Sequence, residues 1–127
     1  MPNLIRLTVV AALACAAATP ASAATTSTPL CFGLTPTRVG TAKADVINGT
    51  WGHDVILGLG GNDTIDGKGG DDLICGGSGA DLVKGGPGRD RLRGDGGADI
   101  IIGGDQGDRA LGGAGADACD AEVELLC

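Results

Sequence analysis

The chain has no tyrosine, one phenylalanine, one tryptophan, one methionine and one histidine among its 127 residues. A core built on large side chains is therefore excluded. No acidic residue precedes Gly40, and from there on sixteen acidic residues outnumber seven basic ones. A body of that sign repels nucleic acid and anionic membrane and favours cations, hard divalent ones above all. Long apolar runs are missing too: apart from Leu7 to Ala18, nothing approaches the roughly 18 residues a membrane span requires.

The Leu7–Ala18 run follows Arg6 and leads into Thr19-Pro20-Ala21-Ser22-Ala23. This is the pattern of a secretory leader with a small-residue cleavage site, so residues 1–23 are expected to be a signal peptide, cleaved after Ala23, of an extracellular protein. Cys15 offers a lipid anchor as the alternative, although Ala12-Leu13-Ala14 places the leucine one position late for a lipobox. The other cysteines are Cys31, Cys75, Cys119 and Cys127. In an exported chain they suggest two disulfides, with three pairings possible. Zinc is disfavoured because no two of them have close metal-ligand spacing.

Glycine is what the chain has in abundance, 25 in all, and it is periodic. Gly40, Gly49, Gly58, Gly67, Gly76, Gly85, Gly94, Gly103 and Gly112 follow one another at an unbroken spacing of nine. In the same register Asp45, Asp54, Asp63, Asp72, Asp81, Asp90, Asp99, Asp108 and Asp117 occupy position 6. Ile47, Ile56, Ile65, Ile74, Val83, Leu92, Ile101, Ala110 and Cys119 occupy position 8. Position 4 is glycine at Gly52, Gly61, Gly70, Gly79, Gly88, Gly97 and Gly115, and is replaced by Lys43 in the first repeat and Gln106 in the eighth. Nine repeats thus fill residues 40–120, between an N-terminal cap expected over 24–39 and a C-terminal cap strand over 121–127.

Each position has a physical use. Spaced glycines let a six-residue loop turn tightly and aim its carbonyls inward. One aspartate per loop adds the charged oxygen that a hard cation prefers, and calcium wants six to eight oxygens, more than one loop supplies. In the x-U-x strand that follows, position 8 faces one way and positions 7 and 9 the other. The core is then nine small or aliphatic side chains, too little to offset roughly 1 to 2 kcal/mol of backbone ordering per residue. Bound ions can supply the difference, at about 2.7 kcal/mol for each site at a hundredfold excess over its dissociation constant. Without them a glycine-rich, acidic chain favours disorder.

The G-x-x-G-x-D-x-U-x segment from Gly40 to Asp120 resembles the RTX, or hemolysin-type, calcium-binding repeat family. The resemblance implies an all-β parallel β-roll with two repeats per turn, about 4.5 turns in all, and calcium held between loops eighteen residues apart. The aspartate pairs it implies are Asp54 with Asp72, Asp63 with Asp81, Asp72 with Asp90, Asp81 with Asp99, and Asp99 with Asp117. Pairs through the first and eighth loops, Asp45 with Asp63 and Asp90 with Asp108, are weakened by Lys43 and Gln106. Five to seven ions follow, with the loop glycines Gly49, Gly52, Gly58, Gly61, Gly67, Gly70, Gly76, Gly79, Gly85, Gly88, Gly94, Gly97, Gly112 and Gly115 shaping the sites.

Stacking repeats one turn apart places Val55 and Leu57 beside Leu73 and Cys75 on an outer face. The apolar piece Leu30-Cys31-Phe32-Gly33-Leu34 is available to cover them, pinned by a Cys31–Cys75 disulfide, with Cys119 then bonded to Cys127 and Val123 and Leu125 in a closing strand. Arg89, Arg91, Arg93 and Arg109 read as a solvated ridge, His53 as an exposed loop side chain, and Trp51 as a packing residue near the N-terminal cap. Ser78, the one serine of the repeats, has no histidine near it in sequence, and no G-x-x-G is followed by Gly-Lys-Ser/Thr, so neither hydrolase chemistry nor a phosphate loop is indicated. The expected function is that of a secreted, non-enzymatic calcium-binding protein that folds on its ions. The alternative is an adhesive or matrix module using the stiffened roll. The sequence names no protein partner.

Overall fold

The structure is a computed structural model that describes residues 29–120 and 125–127. The expected leader, residues 1–23, and the first residues of the N-terminal cap lie outside the described residues. Eleven strands are present among those described: β1 (Arg38–Val39), β2 (Val46–Asn48), β3 (Val55–Gly60), β4 (Thr64–Asp66), β5 (Leu73–Ser78), β6 (Leu82–Lys84), β7 (Arg91–Gly96), β8 (Ile100–Ile102), β9 (Arg109–Ala114), β10 (Ala118–Asp120) and β11 (Leu125–Leu126). No helix occurs among them. Odd-numbered strands form one six-stranded sheet and even-numbered strands a five-stranded sheet. All neighbours within the two sheets are parallel.

The register is the sequence period doubled. Ile56 pairs with Ile74, Ile74 with Leu92 and Leu92 with Ala110 in one sheet. Ile47, Ile65, Val83, Ile101 and Cys119 run in line through the other. Every step is eighteen residues, so two repeats make one turn of a parallel β-roll. The roll has about five turns, slightly more than the repeats alone account for, because β1 pairs with β3 in the same register (Arg38 with Ile56) ahead of Gly40. At the other end β11 lies on β9 with Leu125 opposite Ala110.

The position-8 side chains Ile56, Ile65, Ile74, Val83, Leu92, Ile101 and Ala110 are fully buried in one column between the sheets, with Ile47 and Cys119 partly buried at its ends. Burial of each aliphatic removes roughly 1.5 to 3 kcal/mol of unfavourable hydration. The strands are not all the three-residue x-U-x units the repeat suggests. In β3, β5, β7 and β9 the ladder continues through positions 1 to 3 of the next repeat. Position 3 on that side is Gly60, Ser78, Gly96 or Ala114, small enough for adjacent coils to stay in register. On the other side the same position carries Trp51, Gly69, Pro87 and Asp105, and Pro87 has no N–H to donate to a ladder.

The outer face of the six-stranded sheet has a cover. Cys31 is bonded to Cys75, and both are buried with Leu57 in a second cluster that Phe32, Val55, Leu59 and Leu73 complete. A second disulfide joins Cys119 to Cys127. The arginine ridge is more than a solvated face. The guanidinium carbons of Arg91 and Arg93 sit 4.5 and 5.2 Å from the centroid of the Phe32 ring, a cation–π clamp over the cover. Arg93 also pairs with Asp95, Nε to Oδ1, at 2.6 Å. Trp51 differs from expectation: it is 81% exposed and its ring lies against Gly69, where an added Cβ would come within 2.9 Å of it. It packs on a loop one turn further on, outside the cap.

Candidate metal centres

Each loop presents its aspartate to the inside of the roll. Asp54, Asp63, Asp72, Asp81, Asp90, Asp99 and Asp108 are all at most 5% exposed, an unusual density of buried carboxylates for so small a body. Asp45 and Asp117, at the two ends, are partly exposed. One oxygen of every buried carboxylate after Asp54 is accounted for. Oδ1 accepts the backbone N–H of the aspartate one coil earlier: Asp45 to Asp63, Asp54 to Asp72, Asp63 to Asp81 and Asp72 to Asp90, each at 2.8 Å. Asp81 to Asp99 and Asp90 to Asp108 follow at 2.9 Å, and Asp99 to Asp117 at 3.0 Å. The expected eighteen-residue pairs are therefore physical neighbours, Asp54 with Asp72 through Asp99 with Asp117.

The second oxygen is the informative one. Oδ2 of Asp63, Asp72, Asp81, Asp90 and Asp99 is buried without a hydrogen-bond donor. Such a group is costly to leave unpaired. What it faces instead is a second acceptor. A Cβ placed on Gly67 would lie 2.5 Å from Asp72 Oδ2 and 2.8 Å from the carbonyl oxygen of Gly85, so the two oxygens converge on one point. The same two oxygens meet at Gly40, Gly49, Gly58, Gly76, Gly85 and Gly94, and at Gly103 and Gly112 the position-1 glycine backs onto the aspartate oxygen of its own loop. These glycines have ordinary φ, and it is the missing side chain that matters at them. At position 4 the requirement is different: Gly61, Gly70, Gly79, Gly88, Gly97 and Gly115 have positive φ and sit directly on carbonyls of the coil before.

The electrostatics agree with this geometry. Burial, partly offset by the amide of the previous aspartate and reinforced by neighbouring carboxylates, pushes the Asp72 and Asp81 carboxyls up to about 6. The same balance pushes Asp90 up to about 7 and raises Asp63 and Asp99. Converging acceptor oxygens and carboxylates that resist ionisation call for the positive charge that a cation would supply. Among the described residues no three carboxylate, imidazole or thiolate side chains gather at one point. A cation here must draw most of its ligands from backbone carbonyls, which suits calcium and not zinc.

A family model for the RTX calcium-binding nonapeptide repeat (4 copies) matches residues 39–65, 48–83, 76–110 and 84–119. The chain belongs to that calcium-binding repeat family. No curated protein and no solved structure matches it. RTX repeats bind calcium, and in this RTX roll the buried aspartates fit that property.

Two loops depart from the pattern, and sequence reading passed over the reason. In the first, Thr41 donates to Asp45 Oδ2 through its backbone N–H at 2.6 Å and through its hydroxyl at 2.8 Å. In the second, Thr50 does the same to Asp54 Oδ2, again at 2.6 and 2.8 Å. Gly52, expected to shape this site, has no positive φ, and its N–H donates to Thr50 Oγ1 at 3.1 Å. Asp54 is further approached by Thr37 Oγ1 at 3.4 Å and Arg38 Nε at 3.9 Å, both towards Oδ1. Burial raises its carboxyl, but the Thr50 amide and hydroxyl, Arg38 and Thr37 together bring it below the usual range. The available signal was threonine at position 2, where later loops carry Leu59, Lys68, Gly77, Gly86, Asp95, Gly104 and Gly113 in the positive-φ region. His53 is an exposed loop side chain, as expected, and its Nδ1 accepts the N–H of Asp71 at 3.0 Å.

Proposed function

We propose that this protein is a secreted, non-enzymatic calcium-binding roll whose folding is driven by the calcium outside the cell. The observation that carries the reading is the column of buried Oδ2 atoms with no donor, each beside a glycine carbonyl of the next coil. Calcium would supply the positive charge that both oxygens lack. The chain's own part is to hold the oxygens in place. Oδ1 is tied to the preceding coil, position-1 glycines leave room for Oδ2, and positive-φ glycines turn the loop carbonyls. Between five and seven ions, shared by loops eighteen residues apart, is the stoichiometry proposed. The 1–23 leader pattern and the two disulfides support an extracellular setting, where calcium is plentiful and thiols oxidise.

The test is far-UV circular dichroism with a parallel calorimetric calcium titration. Expected are weak β signal in calcium-stripped buffer, full signal in millimolar calcium, and saturable heat. Equal β signal in both buffers, with no heat of binding, would overturn the proposal.

A further inference from the structure

Seven of the loops divide into two chemical kinds, and the division follows from which groups reach the second aspartate oxygen. From the third loop onward that oxygen has no donor at Asp63, Asp72, Asp81, Asp90 and Asp99. In the first two loops it has two donors from the same threonine. An N–H and an O–H converging on one carboxylate oxygen supply in part the positive potential that a cation would supply.

The backbone changes with the chemistry. At position 2, Leu59, Lys68 and Asp95 are held at φ of 82, 79 and 78° and the glycines there are positive as well, whereas Thr41 and Thr50 are not among the positive-φ residues. A β-branched residue is strongly disfavoured in that region, so threonine selects the other conformation and turns its N–H onto the aspartate. The Thr41 hydroxyl accepts from the Lys43 N–H, and the Thr50 hydroxyl from the Gly52 N–H, both at 3.1 Å. Each loop is thus closed by its own side chain.

We infer that the first two loops bind no cation, Thr41 and Thr50 standing in for it, and that metal dependence begins at Asp63. This rests on the calcium reading above and sharpens it: the pairs through Asp45 and Asp54 drop out, leaving about five ions. The roll then has an end that its own groups complete. Terminal coils of a repeat array have a neighbour on one side only and need such capping. Asp45 and Asp54 still donate their N–H groups to Asp63 and Asp72, so the threonine-closed loops serve as a template for the first metal-dependent coil.

The experiment counts ions by native mass spectrometry of the full chain with calcium chloride, alongside the calcium midpoint of the circular dichroism signal. Thr50→Gly removes both the hydroxyl and the bias against positive φ. The bound count should rise by one and the midpoint should move to higher calcium. Lys68→Thr places threonine at the same position of the fourth loop, and should lower the count by one. Unchanged counts in both variants, on a wild-type chain that binds calcium, overturn the inference and leave the calcium reading standing. A wild-type chain that binds no calcium overturns the calcium reading itself. Should Thr50→Gly fail to fold at any calcium concentration, the Lys68→Thr count decides alone.

Discussion

Acid should partly replace calcium in folding this roll. In the metal-free roll Asp72 and Asp81 titrate at about 6 and Asp90 at about 7, whereas in the unfolded chain an aspartate titrates near 3.9. The folded state therefore binds more protons than the unfolded state between about pH 4 and 7, and stability must fall as pH rises through that window. Near pH 5 these three carboxylates are protonated in the roll and ionised in the unfolded chain, which sets a limiting slope of about 4 kcal/mol per pH unit. Like-charge coupling along each column spreads the titration over a wider range. Asp54 has the opposite sign: its lowered value contributes stability above the unfolded value that is lost only in stronger acid. The assay is far-UV circular dichroism in calcium-stripped buffer, since chelators themselves protonate, scanned from pH 8 to pH 4.5. The β signal should grow on acidification, while the calcium midpoint measured at pH 5.5 should lie well above that at pH 7.5, because protons and calcium compete for the same oxygens. A metal-free chain equally disordered at pH 8 and pH 4.5, with a calcium midpoint indifferent to pH, would refute the burial of these carboxylates.

Two further outcomes follow from the packing. Gly85→Ala keeps an allowed backbone but drives a methyl against the Asp90 carboxylate and the Gly103 carbonyl; thermal melts in calcium should show a loss of roughly 1 to 3 kcal/mol, whereas a melt matching wild type would show that the position-1 glycines are not sterically required. Replacing Cys31 and Cys75 together by serine frees the cover from Leu57 and Leu73, so stability should fall by about 2 to 4 kcal/mol and a dye for exposed apolar surface should bind; an unchanged melt and no dye binding would mean the cover is held by the Phe32–arginine contacts alone.

Much of the molecule was legible beforehand because the nonapeptide pattern is strict. Glycine, aspartate and aliphatic ladders in one register carry the family resemblance that implied a parallel roll, and the column from Ile56 to Ala110 lies at position 8 inside it. The Cys31–Cys75 and Cys119–Cys127 pairings were also within reach, since stacking one turn apart creates an apolar patch with a cysteine in it and one apolar segment to cover it. What escaped were contacts between groups of unlike repeats. Arg91 and Arg93 read as solvent-facing because nothing in their own repeat shows that Phe32 will be carried over them. Trp51 read as a packing residue near the N-terminal cap because its true neighbour, Gly69, is one turn away.

The sequence by itself determined the period, the division of each repeat into loop and strand, the inward column and the acidic, glycine-rich loops that make a cation the natural ligand. All of these depend on residue type and spacing, which a regular repeat turns directly into position. Only the tertiary structure decided which aspartate oxygen is satisfied and by what. That depends on whether position 2 takes positive φ, on where a single N–H then points, and on how closely the next coil's carbonyl approaches. The division between two threonine-closed loops and the loops of Asp63, Asp72, Asp81, Asp90 and Asp99, whose second oxygen has no donor, is settled at that scale.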